Sequence, residues 1–141
     1  MSFLLDTCVI SDLVAKRPNP GVVEWIDAVE DDRLFLSVIT LGEVKRGIEK
    51  LPDSRRRSTL DEWLNEALLL RFRGRILHID HRVMLRWGSL TASLELAGRK
   101  LPAMDSLIAA TSLEHDLQLV TRNVSDFDGT GLVVHDPWRK T

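Results

Sequence analysis

Three observations predict an α/β fold with three layers, a parallel five-stranded sheet flanked by helices. Five short apolar runs recur along the 141 residues, near positions 2–5, 34–37, 76–79, 117–120 and 131–135. Between them, apolar residues return at helical rather than alternating spacing. Hairpin chemistry between neighbouring runs is scarce, so each run reaches the next through a right-handed crossover, which makes the sheet parallel.

The elements follow in order. Ser2-Phe3-Leu4-Leu5 is the first strand and ends abruptly in Asp6-Thr7. Val9, Ile10, Leu13 and Val14 then mark a helix that stops at Arg17-Pro18-Asn19-Pro20. A second short helix carries Val22, Ile26 and Val29 on one face, and Leu34-Phe35-Leu36-Ser37 is the second strand. Val38, Leu41, Val44, Ile48 and Leu51 form a helical stripe closed by Pro52. Asp53 or Ser54 caps the next helix, whose face runs from Leu60 through Trp63, Leu64, Ala67 and Leu68 to about Phe72. Ile76-Leu77-His78-Ile79 is the third strand, and Asp80 caps a long helix that Gly98 ends. Leu101-Pro102 opens a further helix through His115, proline being favoured in a first turn. Leu117–Val120 and Gly131–His135 complete the strands. There are no repeats, low-complexity tracts or long linkers, so residues 1–141 are expected to form a single domain.

Composition excludes several classes. No stretch of 18 apolar residues is present, so no membrane span is expected. The start, Met1-Ser2-Phe3, lacks the basic and apolar regions of a secretory signal, and the sole cysteine, Cys8, permits no internal disulfide. Both features fit a cytoplasmic protein, with Cys8 read as core packing. The formal net charge of −2 suits a nucleic-acid binder poorly at first sight. Setting four of the 21 acidic residues aside against 19 basic ones turns the balance slightly positive. A mildly basic surface around a cation-neutralised acidic site is therefore permitted.

Those four acids are Asp6, Glu43, Asp105 and Asp126. Each has a purely structural reading. Asp6 suits a helix N-cap, Glu43 a solvated helix face, Asp105 a first turn where the helix dipole favours negative charge, and Asp126 a turn sequence. What those readings leave unexplained is that all four flank strand ends, or the helices that follow, at one edge of the sheet. Open α/β sheets place reactive groups in that crevice. Carboxylates gathered at ~5 Å repel by about 3 kcal/mol per pair at an effective dielectric near 20. Such a cluster is stable only when protonated or when it holds a cation, and hard oxygen donors suit Mg²⁺ or Mn²⁺. A metal so held activates water and stabilises charge on a phosphodiester.

Competing sites are weaker. His78, His81, His115 and His135 show no zinc-ligand spacing. No glycine-rich phosphate loop or dinucleotide fingerprint is present, and Ser11 and Ser37 lack a nucleophile-elbow context. Arg55-Arg56-Arg57 and Arg71, Arg73 and Arg75 suit either phosphate contacts or solvated helix ends. The tryptophans fall mostly on apolar helix faces, as core residues do.

From Phe3 to His135 the sequence resembles the PIN-domain ribonucleases of the VapC family, the toxin half of VapBC toxin–antitoxin pairs. The resemblance is carried by Leu5-Asp6-Thr7, by Ser37-Val38-Ile39-Thr40-Leu41-Gly42-Glu43-Val44, by Leu101-Pro102-Ala103-Met104-Asp105-Ser106-Leu107-Ile108-Ala109-Ala110, and by Leu119-Val120-Thr121-Arg122-Asn123-Val124-Ser125-Asp126-Phe127. Each is weak alone; the four in this order are specific. The resemblance implies that Asp6, Glu43, Asp105 and Asp126 are the family's acidic quartet, with no acid replaced. It implies RNA as substrate, Mg²⁺ or Mn²⁺ as cofactor, a homodimer, and a cognate antitoxin whose tail blocks the site. Asp6, Asp105 and Asp126 are then the metal-binding acids, directly or through water, and Glu43 completes the shell or orients the attacking water. Thr7 and Thr121 are expected to hold carboxylates by hydrogen bonds, and Asn123 lies close enough in sequence to share such contacts. The Leu68-Leu69-Leu70 run exceeds what one helix face needs, so this helix and the one from His81 are expected at the dimer contact.

Two other classes remain to be separated. A non-catalytic PIN-like module would hold RNA or a partner without cutting it, and retention of all four acids argues against that. A receiver or phosphatase domain also uses strand-end aspartates, but the first strand lacks Asp-x-Asp spacing and the fifth lacks a receiver-like lysine.

Overall fold

The computed structural model describes residues 1–139. Strands β1 (Phe3–Leu5), β2 (Leu34–Ser37), β3 (Ile76–Leu77), β4 (Gln118–Val120) and β5 (Val134–His135) form one parallel sheet ordered β3-β2-β1-β4-β5. Helices α1 (Thr7–Leu13) and α2 (Pro20–Ala28) join β1 to β2. Helices α3 (Val38–Glu49), α4 (Arg55–Glu62) and α5 (Leu69–Arg71) lie between β2 and β3, and α6 (His81–Leu96) and α7 (Ala103–Glu114) between β3 and β4. The expected α/β architecture with surplus helices after the second strand is what the chain adopts.

Strand alternation sorts the core into two layers. Phe3, Leu5 and Val120 point to one face, where Val9, Ile10, Ile26, Val44 and Leu64 cover them. Leu4 and Leu119 point to the other, against Val83, Leu90, Ile108 and Phe127. The central strands are therefore apolar on both faces, which is why they read as continuous runs. Leu4, Leu5, Leu34, Leu36 and Leu119 are fully buried, and truncating any of them to alanine is expected to cost about 2–5 kcal/mol.

Helix starts follow the side chains that cap them. Asn19 accepts from the Gly21 and Val22 amides ahead of Pro20, Ser54 rather than Asp53 caps α4, and Asp80 caps α6 through the Val83 amide at 2.9 Å. Gly98, at φ +75, stands just beyond the end of α6 as its spacing predicts.

Two elements differ from expectation. The helix expected from Ser54 to Phe72 is interrupted by a π-helical segment, Trp63–Leu68. Leu60, Leu64, Leu68 and Phe72 recur every four residues, and on an α-helix that repeat drifts by about 40° per step. The wider π turn absorbs the drift and keeps Leu64, Leu68 and Phe72 buried. The outer strands are also shorter than their apolar runs. In β3, Asp80 must turn away to cap α6, and in β5 Gly131, at φ +81, belongs to the preceding turn.

The chain runs from β1 outward to β2 and β3, then returns to lay β4 and β5 on the opposite side. The order therefore reverses between β1 and β4, and the carboxyl ends of those two strands border the crevice where open α/β sheets bind ligands.

Candidate active site

Asp6 follows directly on β1, and Thr121 follows directly on β4. The Asp6 amide donates to Val120 O at 2.9 Å, which extends the β1–β4 ladder to the carboxylate-bearing residue itself. The carboxylate is 5% exposed. Its Oδ1 accepts from the Thr7 amide at 2.8 Å, and its Oδ2 from Thr121 Oγ1 at 2.8 Å. Asp6 is thus the N-cap of α1 and, at the same time, a buried acid at the carboxyl end of β1.

Thr7 reaches in the other direction. Its hydroxyl donates to Glu43 Oε1 at 2.6 Å and lies 3.2 Å from the buried Thr40 Oγ1. Glu43 is half-buried on α3, so the solvated-face reading of that residue does not hold. Ser37 fixes the start of α3 by accepting from the Ile39 amide at 3.1 Å. Thr7 therefore holds two acids, its neighbour Asp6 through its amide and Glu43 of α3 through its hydroxyl.

Asp105 sits in the first turn of α7, a helix without a side-chain cap. That turn is anchored by Ser106, whose hydroxyl donates to Ala103 O at 2.7 Å and accepts from Trp87 Nε1 at 2.8 Å. Asp126 lies in a 3₁₀ turn, Val124–Phe127, pinned by buried Phe127 and by the Thr130 hydroxyl on Phe127 O at 2.6 Å. Its own side chain is exposed.

The four acids lie within electrostatic reach of one another. Burial pushes Asp6 above the usual carboxylate range, the hydrogen bonds from Thr121 and the Thr7 amide oppose this, and the charges of Glu43 and Asp126 push it further up. Asp105 is pushed up to about 6, first by burial and then by the charges of Asp6, Glu43 and Asp126. Among the described residues, no three acidic, imidazole or thiol side chains are drawn into a preassembled ion cage. The arrangement is an open set of hard oxygen donors with excess negative charge. That fits Mg²⁺ or Mn²⁺, since magnesium commonly takes one or two carboxylates and keeps several waters.

Thr7 and Thr121 perform the hydrogen bonding expected of them, whereas Asn123 contributes through its backbone amide, which donates to Thr121 Oγ1 at 3.1 Å. Sequence reasoning missed Thr40, Ser106 and the position of Cys8. The Cys8 thiol lies 3.5 Å from Thr121 Oγ1 and 4.0 Å from Asp6 Oδ2, so it packs against the core and borders the site at once. A Ser or Thr opposite a strand-end acid was the available signal for Thr40; nothing local marked Ser106 or Cys8. The arginines weighed for phosphate contact are largely occupied. Arg57 pairs with Glu49, Arg71 with Asp31, and Arg75 donates to backbone carbonyls of Asp31, Leu34 and Arg71.

Comparison with known proteins places these observations. Residues 3–130 match the family model described as the PIN domain. The chain is 34% identical to "Toxin FitB" of Neisseria gonorrhoeae over 96% of its length and 97% of that protein's. It is likewise 34% identical to "VapC ribonuclease Y4jK" of Sinorhizobium fredii, over 96% of both chains. The solved structure of FitAcB from Neisseria gonorrhoeae superposes with a TM-score of 0.93 at 33% identity, covering 98% of this chain and 99% of that one.

Proposed function

Since the chain belongs to the PIN-domain family, we propose that it is an endoribonuclease dependent on a divalent cation and the toxin half of a toxin–antitoxin pair. The observation that carries this reading is the gathering of four carboxylates from four separate elements at one edge of the sheet, close enough that the charges of Asp6, Glu43 and Asp126 add to burial in raising Asp105 to about 6. Such a cluster costs stability in a structural protein and is useful where a cation and a phosphodiester must meet. Relatives named as a toxin and as a VapC ribonuclease, aligned over nearly the whole chain, agree with it.

In this reading Asp6, Asp105 and Asp126 would hold Mg²⁺ or Mn²⁺, directly or through water. The bound cation supplies a water of lowered pKa and charge stabilisation at the phosphoryl oxygens. The remaining work belongs to the chain. Thr121 and the Thr7 amide fix both oxygens of Asp6, so this acid enters the reaction already oriented. Thr7 fixes one oxygen of Glu43 and leaves the other to accept a proton from the attacking water or orient it. Asp105 must be ionised to bind the cation, which sets the lower pH limit of activity.

The partners follow from the same reading: RNA as substrate, an antitoxin that occupies the site, and a second copy of this chain. Leu68 is buried in the core, so the apolar side chains left for a second copy on these helices include Leu70 of α5 and Leu85 of α6, about 70% exposed. Among the described residues no helix is long and apolar enough to cross a membrane; a cytoplasmic location belongs to the same proposal as the RNA substrate. Residues 140–141 of the expected single domain lie outside the described residues.

The test is direct. Purified protein freed of any antitoxin is incubated with RNA in Mn²⁺ and in EDTA. Cleavage in Mn²⁺ that EDTA abolishes is expected. RNA bound but left intact in Mn²⁺ would instead favour the non-catalytic binding module.

A further inference from the structure

Beside the acidic cluster, a cleft of about 350 Å³ opens between the α6–α7 connection and the turn that carries Asp126. Arg99, Lys100 and Leu101 border it from the connection, and Ser125, Asp126 and Asp128 from the turn. It therefore runs up to one of the four acids while bringing two cations to it. Neither cation is in direct contact with a carboxylate, although Asp126 and Asp128 line the same cleft: among the described residues, Arg99 and Lys100 take part in no ion pair, whereas Arg57, Arg71 and Arg86 do.

Arg99 is exposed and its side chain runs beside Gly129. Gly129 sits at φ +81, and a Cβ built there would meet Arg99 Cδ, Nε and Nη1 at 3.4–3.5 Å. The arginine side chain therefore lies along the bare backbone of the same turn that carries Asp126. A long cationic side chain laid against backbone loses less freedom on binding an anion than one waving in solvent. Its guanidinium offers a planar fork suited to phosphate, and the lysine beside it adds a point charge.

A strand whose scissile phosphate lies at the acidic cluster must pass this cleft or leave on the opposite side. The cleft brings two neighbouring cations to that path, beside the carboxylates of Asp126 and Asp128. A polyanion approaching four carboxylates is repelled until cations flank its path, and these are unpaired cations bordering a cleft that contains one of the acids. We propose that Arg99 and Lys100 are substrate-binding residues that grip RNA phosphates next to the scissile one. The proposal rests on the ribonuclease reading and adds to it the path of the substrate and two residues that set affinity.

The test uses Arg99→Ala, Lys100→Ala, the double variant and Arg99→Lys. Binding of a fluorescent single-stranded RNA is titrated against salt in EDTA on an Asp105→Asn background, so that no cleavage intervenes. Each lost phosphate contact flattens the plot of log affinity against log salt by about 0.7, so the double variant should flatten it by about 1.4. Arg99→Lys should keep the parent slope. In Mn²⁺, with Asp105 restored, the double variant should raise KM roughly tenfold and leave kcat within about twofold, the pattern of lost uniform binding. An unchanged slope and KM overturn the proposal. So does a fall in kcat with KM and slope intact, which would mean that Arg99 only braces the Asp126 turn. A parent protein that neither binds nor cuts RNA overturns the ribonuclease reading itself; an active parent with unaffected variants overturns this proposal alone.

Discussion

Thr121 Oγ1 donates a 2.8 Å hydrogen bond to Asp6 Oδ2, joining the ends of β4 and β1 across 115 positions of sequence, with both side chains buried. The bond favours the ionised form of an acid whose pKa burial raises. Replacing Thr121 by valine keeps the shape and removes the donor. Stability should fall by about 1–3 kcal/mol, the cost of leaving a buried acceptor unpaired, and RNA cleavage should fall at least tenfold. Thr121→Ser should restore most of both. Urea unfolding midpoints and initial cleavage rates in Mn²⁺ check this.

Asp105 gives a pH-dependent signature. Its folded pKa, about 6, lies above the ordinary 3.8, so the folded chain binds the proton more tightly than the unfolded one. The stabilising contribution is complete below about pH 4 and is lost as pH rises to about 6. Asp105→Asn escapes that loss. In EDTA it should match the parent at pH 4 and exceed it by about 1–2 kcal/mol at pH 7, allowing for solvent screening. Thermal or urea melts across pH 4–7 measure the difference; equal curves at pH 7 would show that neither burial nor the neighbouring acids penalise the charge of Asp105.

Cation binding should carry the complementary dependence. Since Asp105 must release its proton near pH 6 to serve as a ligand, the Mn²⁺ affinity of the parent should weaken by up to about tenfold per unit as pH falls below 6. Titration calorimetry at pH 5, 6 and 7 reads this, and an affinity flat across that range would remove Asp105 from the site.

The fold was legible because the strands of the parallel sheet are apolar on both faces and their crossovers carry helical stripes. The acids were legible because three stand at or just beyond strand or turn boundaries, Asp6 after Leu5, Asp105 in a first turn and Asp126 in a polar turn. Glu43 was harder, since its burial comes from Thr7 of another element. Contacts between distant residues left no local trace: the pairing of Ser106 with Trp87 depends on how α6 meets α7, and the placement of Cys8 beside Thr121 on how β1 meets β4. The π segment was hidden for a different reason, because a four-residue repeat also reads as an ordinary helical stripe over two turns.

Ser106 supplies a prediction that the sequence did not suggest. Ser106→Ala leaves the indole N–H of Trp87 without its partner and frees the first turn of α7. A loss of about 1–3 kcal/mol in stability is expected, with a fall in kcat because Asp105 is one residue away. Ser106→Thr should fit less well than serine, since the site is fully buried, but should retain the hydrogen bond. Denaturation curves together with near-ultraviolet circular dichroism of the tryptophans report both effects.

Thr7→Val should separate orientation from assembly. Glu43 loses its hydrogen bond while the Thr7 amide still serves Asp6. Mn²⁺ affinity should change less than about threefold while kcat drops roughly ten- to a hundredfold. Loss of cation binding in this variant would assign Glu43 to the cation rather than to the attacking water.

The most direct measurement is an anomalous difference map from crystals soaked in Mn²⁺. A manganese peak bordered by the carboxylates of Asp6 and Asp105 is expected, and it should disappear in Asp6→Asn. Manganese bound elsewhere, or no peak from a protein that still cuts RNA in EDTA, would contradict a cleavage site built on these acids.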